Sequence, residues 1–266
     1  TASAPIATQT SSSTGVEILK ALRFKHPRVT YVMQETDTLI YPGSQDSILL
    51  VCGPSGVGKS TLAQHHRDTA LKAAAASMEK DAGLVPAAYV EARSVGEEVF
   101  SWRSFYGNVL TEIDPQTSMP RTAFGIDPAT GLFVRPHGRS NNTLAAQRAS
   151  LERALRARGT QVLFVDEAAH IIQGVRGKRL EMQLNTIKSL ANISGTQIVL
   201  VGSYDLYDLM MLSGQLARRT HVIHMERYRD DRPEDVRAFR GCVKHFQDKL
   251  PEIFGNVLLP YSDSLL

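Results

Sequence analysis

Cysteine and tryptophan are scarce in this chain of 266 residues, which has two Cys, Cys52 and Cys242, and a single Trp. Two thiols so far apart, outside any CxxC spacing, make neither a disulfide framework nor a zinc site and fit a reducing compartment. Long apolar runs are missing as well. None approaches the ~20 residues that cross a bilayer, and the N-terminus lacks the charged-then-apolar layout of a signal peptide. The expectation is a soluble protein of a bacterial cytoplasm with no membrane partner. A dominant charge of one sign is also absent. Thirty Lys+Arg against 27 Asp+Glu leave +3, which permits a nucleic-acid partner without requiring one. With 42% apolar and 21% charged residues, collagen, coiled coil and wholesale disorder are excluded. A chain of this length makes one large domain or two small ones, with a core that needs no metal or disulfide.

Strand and helix signals alternate along most of the chain, which predicts an α/β fold with a parallel sheet between helical layers. Residues 1–15, rich in Ser, Thr and Ala, read as a flexible leader. Residues 16–45 read as an N-terminal adaptor, with a helical stretch broken at His26-Pro27 and an apolar rhythm resuming over Val32 to Ile40. Residues 46–228 read as the core domain. Its predicted strands are Ser47–Cys52, Val85–Ala92, Gln161–Val165, Gln197–Gly202 and His221–Met225. Its predicted helices are Ser60–Lys80, Phe100–Ile113, Leu144–Arg158, Lys178–Ala191 and Asp205–Leu216. Between them, Asp114 to Asn142 is a long polar excursion. Residues 229–266 read as a short or truncated helical lid, opened by Pro233 with Glu234 and Asp235 in a first turn. Val236, Phe239, Val243, Phe246 and Leu250 mark one face of that helix.

The strongest motif is Gly53-Pro54-Ser55-Gly56-Val57-Gly58-Lys59-Ser60, followed by Thr61. It matches G-x-x-x-x-G-K-[ST] between a predicted strand and a predicted helix, the setting a P-loop needs. Glycines let backbone N–H groups wrap a phosphate, and the helix N-terminus adds its positive end. Lys59 then reaches the terminal phosphates of ATP, and Ser60 ligates Mg²⁺. The partner is Val162-Leu163-Phe164-Val165-Asp166-Glu167, an apolar strand ending in two acids. By itself such a run is usually a strand with a solvated end. After a P-loop it reads as the acidic strand of an ATPase, with Asp166 on the metal and Glu167 as the base for the attacking water. Ser203, after Ile198–Gly202, is expected to face the γ-phosphate if its strand lies between the other two; an ordinary strand-to-loop serine is the competing reading. Arg218 and Arg219 end a helix before the last strand. They complement the helix dipole or, in an oligomer, one of them reaches a neighbour's site as an arginine finger, with Arg218 favoured.

With these residues in place, the sequence resembles an AAA+ ATPase, and within that class is similar to the TniB/TnsC/MuB regulators of DNA transposition. The resemblance rests on His26-Pro27, GPSGVGKST at Gly53–Thr61, LFVDEAAH at Leu163–His170, IVLVGSYDL at Ile198–Leu206 and LARR at Leu216–Arg219. It implies a three-layer αβα fold and ATP with Mg²⁺, with His26 and Pro27 joining the nucleotide site. It also implies assembly as a ring or helical filament on double-stranded DNA, and recruitment of a transposase through target selection with an adaptor protein. DNA contacts are implied at Arg103 and in the Arg135, Arg139 and Asn141 stretch, continuing to Arg148. The composition lends physical support. Residues 121–160 hold seven arginines and two acids, a local charge of +5, suited to tracking phosphates without reading bases. Competing readings are a nucleotide-switched, protein-binding signalling ATPase and a helicase-loader-like AAA+ ATPase. A lid that looks incomplete leaves no residue to assign as the arginine such ATPases often send from it to the γ-phosphate.

Overall fold

A computed structural model of the chain describes residues 27–40, 47–94, 96, 100–114, 125–126, 130, 133–134, 143–211 and 220–254. The described residues divide into two compact units, one of residues 32–226 and one of residues 27–31 with 227–254.

The larger unit is built on five parallel strands, β1 (Ile48–Cys52), β2 (Ala87–Glu91), β5 (Val162–Asp166), β6 (Gln197–Gly202) and β7 (Thr220–His224), in the order β2-β5-β6-β1-β7. A separate antiparallel pair, β3 (Gly125–Ile126) and β4 (Phe133–Val134), lies within the predicted excursion. The three central strands are apolar at nearly every position because both of their faces are covered, so alternation is absent from their sequences. Exposure appears in the two edge strands, at Glu91 of β2 and His224 of β7.

Helices cover both faces. On one lies α2 (Lys59–Ala73), whose Leu62, Ala63 and His66 are buried against β2, β5 and β6. Val32 and Thr36 of α1 (Pro27–Ile40) are buried as well, with Thr36, Lys59 and His66 lining one cleft above Val51, Phe164, Val199 and Val201. On the other face, α4 (Trp102–Ile113), α5 (Leu144–Ala157), α6 (Ala169–Ile172), α7 (Lys178–Ser194) and α8 (Tyr204–Met211) share one core with Leu50, Val90, Leu163 and Leu200. This is the three-layer αβα arrangement, and β6 stands between β1 and β5. Helix starts follow local chemistry. The Ser101 hydroxyl accepts the Ser104 N–H, and the Thr143 hydroxyl accepts the Ala146 N–H.

Three differences from the sequence reading stand out. The predicted helix Ser60–Lys80 is two helices, α2 and α3 (Ala75–Lys80), separated at Ala74. The alanines there contain no breaker, and α3 has no buried residue, so nothing in the local sequence explains the break. The helix α1 begins at Pro27 and runs unbroken to Ile40. Proline is tolerated there because a first-turn N–H has no partner within the helix. The short α6 was not anticipated; at four residues it is below the span over which helical periodicity is readable.

In the smaller unit, α9 (Pro233–Phe254) starts at Pro233 as expected. Asp235 in its first turn is 6% exposed and accepts two bonds from Arg28, at 2.7 and 2.6 Å, and one from the Arg229 N–H at 3.0 Å. The Arg28 guanidinium also lies 5.3 Å from the centre of the Tyr228 ring and donates to the Arg227 carbonyl. Burial pushes the Tyr228 hydroxyl pKa up to about 12.

Candidate nucleotide site

All five strands are parallel, so the segments following β1, β5, β6 and β7 emerge at one end of the sheet. The loop after β1 is rooted on both neighbouring strands. The Gly53 N–H donates to the Gly202 carbonyl at 3.2 Å, and the Met225 N–H donates to the Cys52 carbonyl at 2.8 Å. Gly53 is required by this packing, since a Cβ there would sit inside the Met225 carbonyl oxygen. Further on, Gly58 precedes α2 at φ 100° and Gly56 has φ 79°, a left-handed backbone that a side chain would strain. A Gly58 carbonyl accepting from Leu62 at 2.9 Å then opens the helix.

Lys59 donates to the carbonyls of Gly53 and Pro54 at 3.0 and 2.9 Å, so its ammonium lies over the loop. Burial lowers its pKa from the usual lysine value, while Glu167 and Asp166 oppose that shift by attraction. The charges predicted to share a site are therefore near one another. Ser60 is exposed in the first turn of α2.

Asp166 is 4% exposed and both its oxygens are engaged. One accepts the Glu167 N–H at 2.8 Å, the other the Tyr89 hydroxyl at 2.6 Å. Glu167 is exposed and is the one non-glycine residue with positive φ among the described residues, at 50°. Such a backbone costs of order 1–3 kcal/mol and persists where its surroundings impose it. Here the neighbouring amides do so, since Ala168 donates to the Val201 carbonyl at 2.9 Å and His170 to the Glu167 carbonyl at 3.0 Å. This φ departs from the extended backbone of the strand that ends at Asp166. Ser203 follows β6 level with Gly53, because Gly202 pairs in register with Cys52. Its hydroxyl donates to Asp205 at 3.1 Å.

A hydroxyl and carboxylates offer the hard oxygen donors that Mg²⁺ takes, usually with one or two carboxylates and substrate phosphates rather than a complete protein cage. Ser60 and Asp166 fit that role. Among the described residues no cluster of three or more His, Cys, Asp or Glu forms a metal cage.

Tyr89 is the residue that sequence reading missed. It lies on β2 opposite Phe164, two positions before Glu91, which pairs with Asp166. Its own hydroxyl is held protonated, with its pKa raised by burial and by the bond to Asp166. Arg67 of α2 lies 5.8 Å from the centre of its ring. A tyrosine in a strand reads as packing, and only strand pairing discloses its polar partner.

Other candidates are placed as follows. Arg103 is exposed in the first turn of α4, and Pro27 opens α1. Arg148 is partly buried, bonded to Glu152 at 2.8 Å and to the Ser189 hydroxyl at 2.7 Å. His26, Arg135, Arg139, Asn141, Arg218 and Arg219 lie outside the described residues.

The family model described as "AAA domain" matches residues 42–210, which include both acidic and phosphate-loop segments. No curated protein matches the chain. Among solved structures, the chain is similar to the ORC2 protein of Aeropyrum pernix in its ADP form. The identity is 16%, with 83% of this chain and 51% of that one covered at a TM-score of 0.47. It is also similar to the Walker-type ATPase of Pyrococcus abyssi, at 15% identity over 86% and 62% of the two chains with a TM-score of 0.45. A third similar structure is Drosophila ORC bound to DNA, at 13% identity over 90% and 52% with a TM-score of 0.44. The chain spans about half the length of the ORC chains.

Proposed function

This chain belongs to the AAA domain family, and on that premise we propose that it hydrolyses ATP and uses the cycle to control assembly on duplex DNA. The observation that carries the ATPase reading is the convergence of three groups at one end of the sheet. Lys59 lies over a glycine loop, Asp166 is buried and doubly hydrogen-bonded, and Glu167 projects from a strained turn beside it. In this reading the loop amides and Lys59 hold the phosphates, Ser60 and Asp166 hold Mg²⁺, and Glu167 takes the proton of the attacking water. The ion supplies charge neutralisation on the phosphates when bound. Ser203, level with the loop, polarises the γ-phosphate, and Arg218 or Arg219 serves a neighbouring subunit.

The finer reading is a transposition regulator of the TniB/TnsC/MuB kind, which selects a DNA target and recruits a transposase. It rests on the motif resemblance and on the +5 charge of residues 121–160, with DNA contacts at Arg103, Arg135, Arg139, Asn141 and Arg148. The test is fluorescence anisotropy of labelled duplex DNA with ATP, with ADP and without nucleotide, at two salt concentrations. Tight, salt-sensitive binding with ATP alone supports the reading, and no binding in any state sinks it.

One observation favours a second reading, a nucleotide-switched ATPase that binds protein. Two of the seven arginines already carry a carboxylate partner at partly buried positions, Arg148 with Glu152 and Arg158 with Asp114 at 2.9 Å, which lowers the net charge offered to DNA. The same anisotropy series separates the two.

A further inference from the structure

Arg176 in the linker from α6 to α7 and Lys178 and Arg179 in the first turn of α7 fall within four residues, all exposed, while Val175 and Leu180 on either side are buried at 6% and 5% exposure. The segment is thus pinned at both ends with its cationic side chains left outward. None of the three has an ion pair or hydrogen bond to another described residue. The placement works against stability, because cations in the first turn of α7 face the positive end of its helix dipole. Glu181 is the one acid in that turn. Three unpaired cations, two of them held where the helix disfavours them, point to an external anion.

Two contacts set this linker beside a second basic position. His170 Nδ1 lies 2.8 Å from the Ala92 carbonyl, joining α6 to the segment that follows β2. The Trp102 indole donates to Gln183, joining the first turn of α4 to α7. Arg103 is next to Trp102, and Arg179 lies one helical turn before Gln183 on the same face of α7. Arg103, on the helix after β2, and Arg176, Lys178 and Arg179, after β5, therefore lie toward the end of the sheet from which Glu167 also emerges, and the last three form a cationic rim there. The rim follows Glu167 by nine residues, through the buried Ile171 and Ile172 of α6.

We propose that this rim, through Arg176, Lys178 and Arg179, binds the phosphate backbone of duplex DNA. The proposal rests on the DNA-binding reading above and adds a contact outside the arginine-rich segment. Cations that touch only phosphates read no sequence, and each phosphate neutralised adds about 0.9 to the slope of log affinity against log salt.

The test compares the full chain with R176Q/K178Q/R179Q and with R176K/K178R/R179K. Anisotropy of a random-sequence labelled duplex is followed from 50 to 300 mM salt with ATP bound. The glutamine variant is expected to bind about tenfold to a hundredfold more weakly at low salt and to lose about 2 to 3 from the slope. The variant that keeps the charges is expected to match wild type. Binding of a fluorescent ATP analogue and the urea midpoint serve as controls and are expected to be unchanged. If wild type binds DNA and the glutamine variant keeps the full slope, the rim is overturned and the DNA reading stands. If wild type shows no salt-dependent binding in any nucleotide state, both fall. Should the triple variant misfold, R179Q alone is expected to lower the slope by about 1, and an unchanged slope there also overturns the rim.

Discussion

Tyr89 donates a 2.6 Å hydrogen bond to Asp166 across the β2–β5 pairing, so a side chain on the edge strand fixes the carboxylate of the acidic strand. Asp166 is buried, and its second oxygen already accepts the Glu167 N–H. The two bonds leave the carboxylate one orientation, with Glu167 following directly from it.

Tyr89→Phe keeps the ring over which Arg67 lies and removes the donor alone. A buried carboxylate oxygen without its partner costs about 1–3 kcal/mol. The urea unfolding midpoint is expected to fall accordingly, and an unchanged midpoint would show that Asp166 has found another donor.

Lys59→Ala removes the one ammonium held over the loop by the Gly53 and Pro54 carbonyls. Affinity for a fluorescent ATP analogue is expected to drop about a hundredfold, the ~3 kcal/mol of a strong charge-assisted contact. Affinity within threefold of wild type would remove Lys59 from the phosphate site.

Glu167→Gln preserves shape and removes the proposed base. Steady-state phosphate release is expected to fall on the order of 10²–10⁴-fold, with nucleotide affinity retained. Turnover at the wild-type rate would assign the proton to another group.

Gly53→Ala sets a methyl group against the Met225 backbone carbonyl, which cannot turn aside as a side chain would. The forced shift is expected to cost ~1–3 kcal/mol, read as a lower Tm by differential scanning calorimetry. A wild-type Tm would mean that the β7 end moves freely.

Acidification probes His66, which is 5% exposed, stacked on Phe164 and 3.0 Å from Asp37. Burial lowers its pKa, with His65 adding to that shift and Asp37 opposing it. The unfolded chain then takes up a proton near pH 6.5 that the native chain refuses. Stability is therefore expected to be lost as pH falls through about 6.5, and the loss stops growing once the native His66 itself protonates. Urea melts of wild type and His66→Leu at pH 7.5 and 5.5 check this. The variant is expected to lose less stability on acidification, and an equal loss would place the titration elsewhere.

Much of the site was legible because its chemistry is local. A P-loop is one contiguous segment whose glycines, lysine and serine serve one phosphate-and-metal site, and the acid pair ends a strand whose unbroken apolar run announces burial on both faces. Tyr89 was illegible for the opposite reason. Its partner is 77 residues away, and nothing near Tyr89 in sequence distinguishes it from a packing aromatic. Arg148 shows the same limit in reverse. The sequence offers it as a DNA contact in an arginine-rich stretch and shows nothing of its partners within the fold, Glu152 one turn on and Ser189 on α7.

The alternation of strand and helix signals, the phosphate loop and the acid pair were determined by sequence alone, because each depends on neighbours within a few residues. The strand order that puts β6 between β1 and β5, the clash that requires Gly53, the twist at Glu167 and the grip of Tyr89 on Asp166 were decided only by the tertiary structure. Each of these is a contact between segments distant in the chain, set by which strands pair and which helix faces are buried, and no local pattern encodes it.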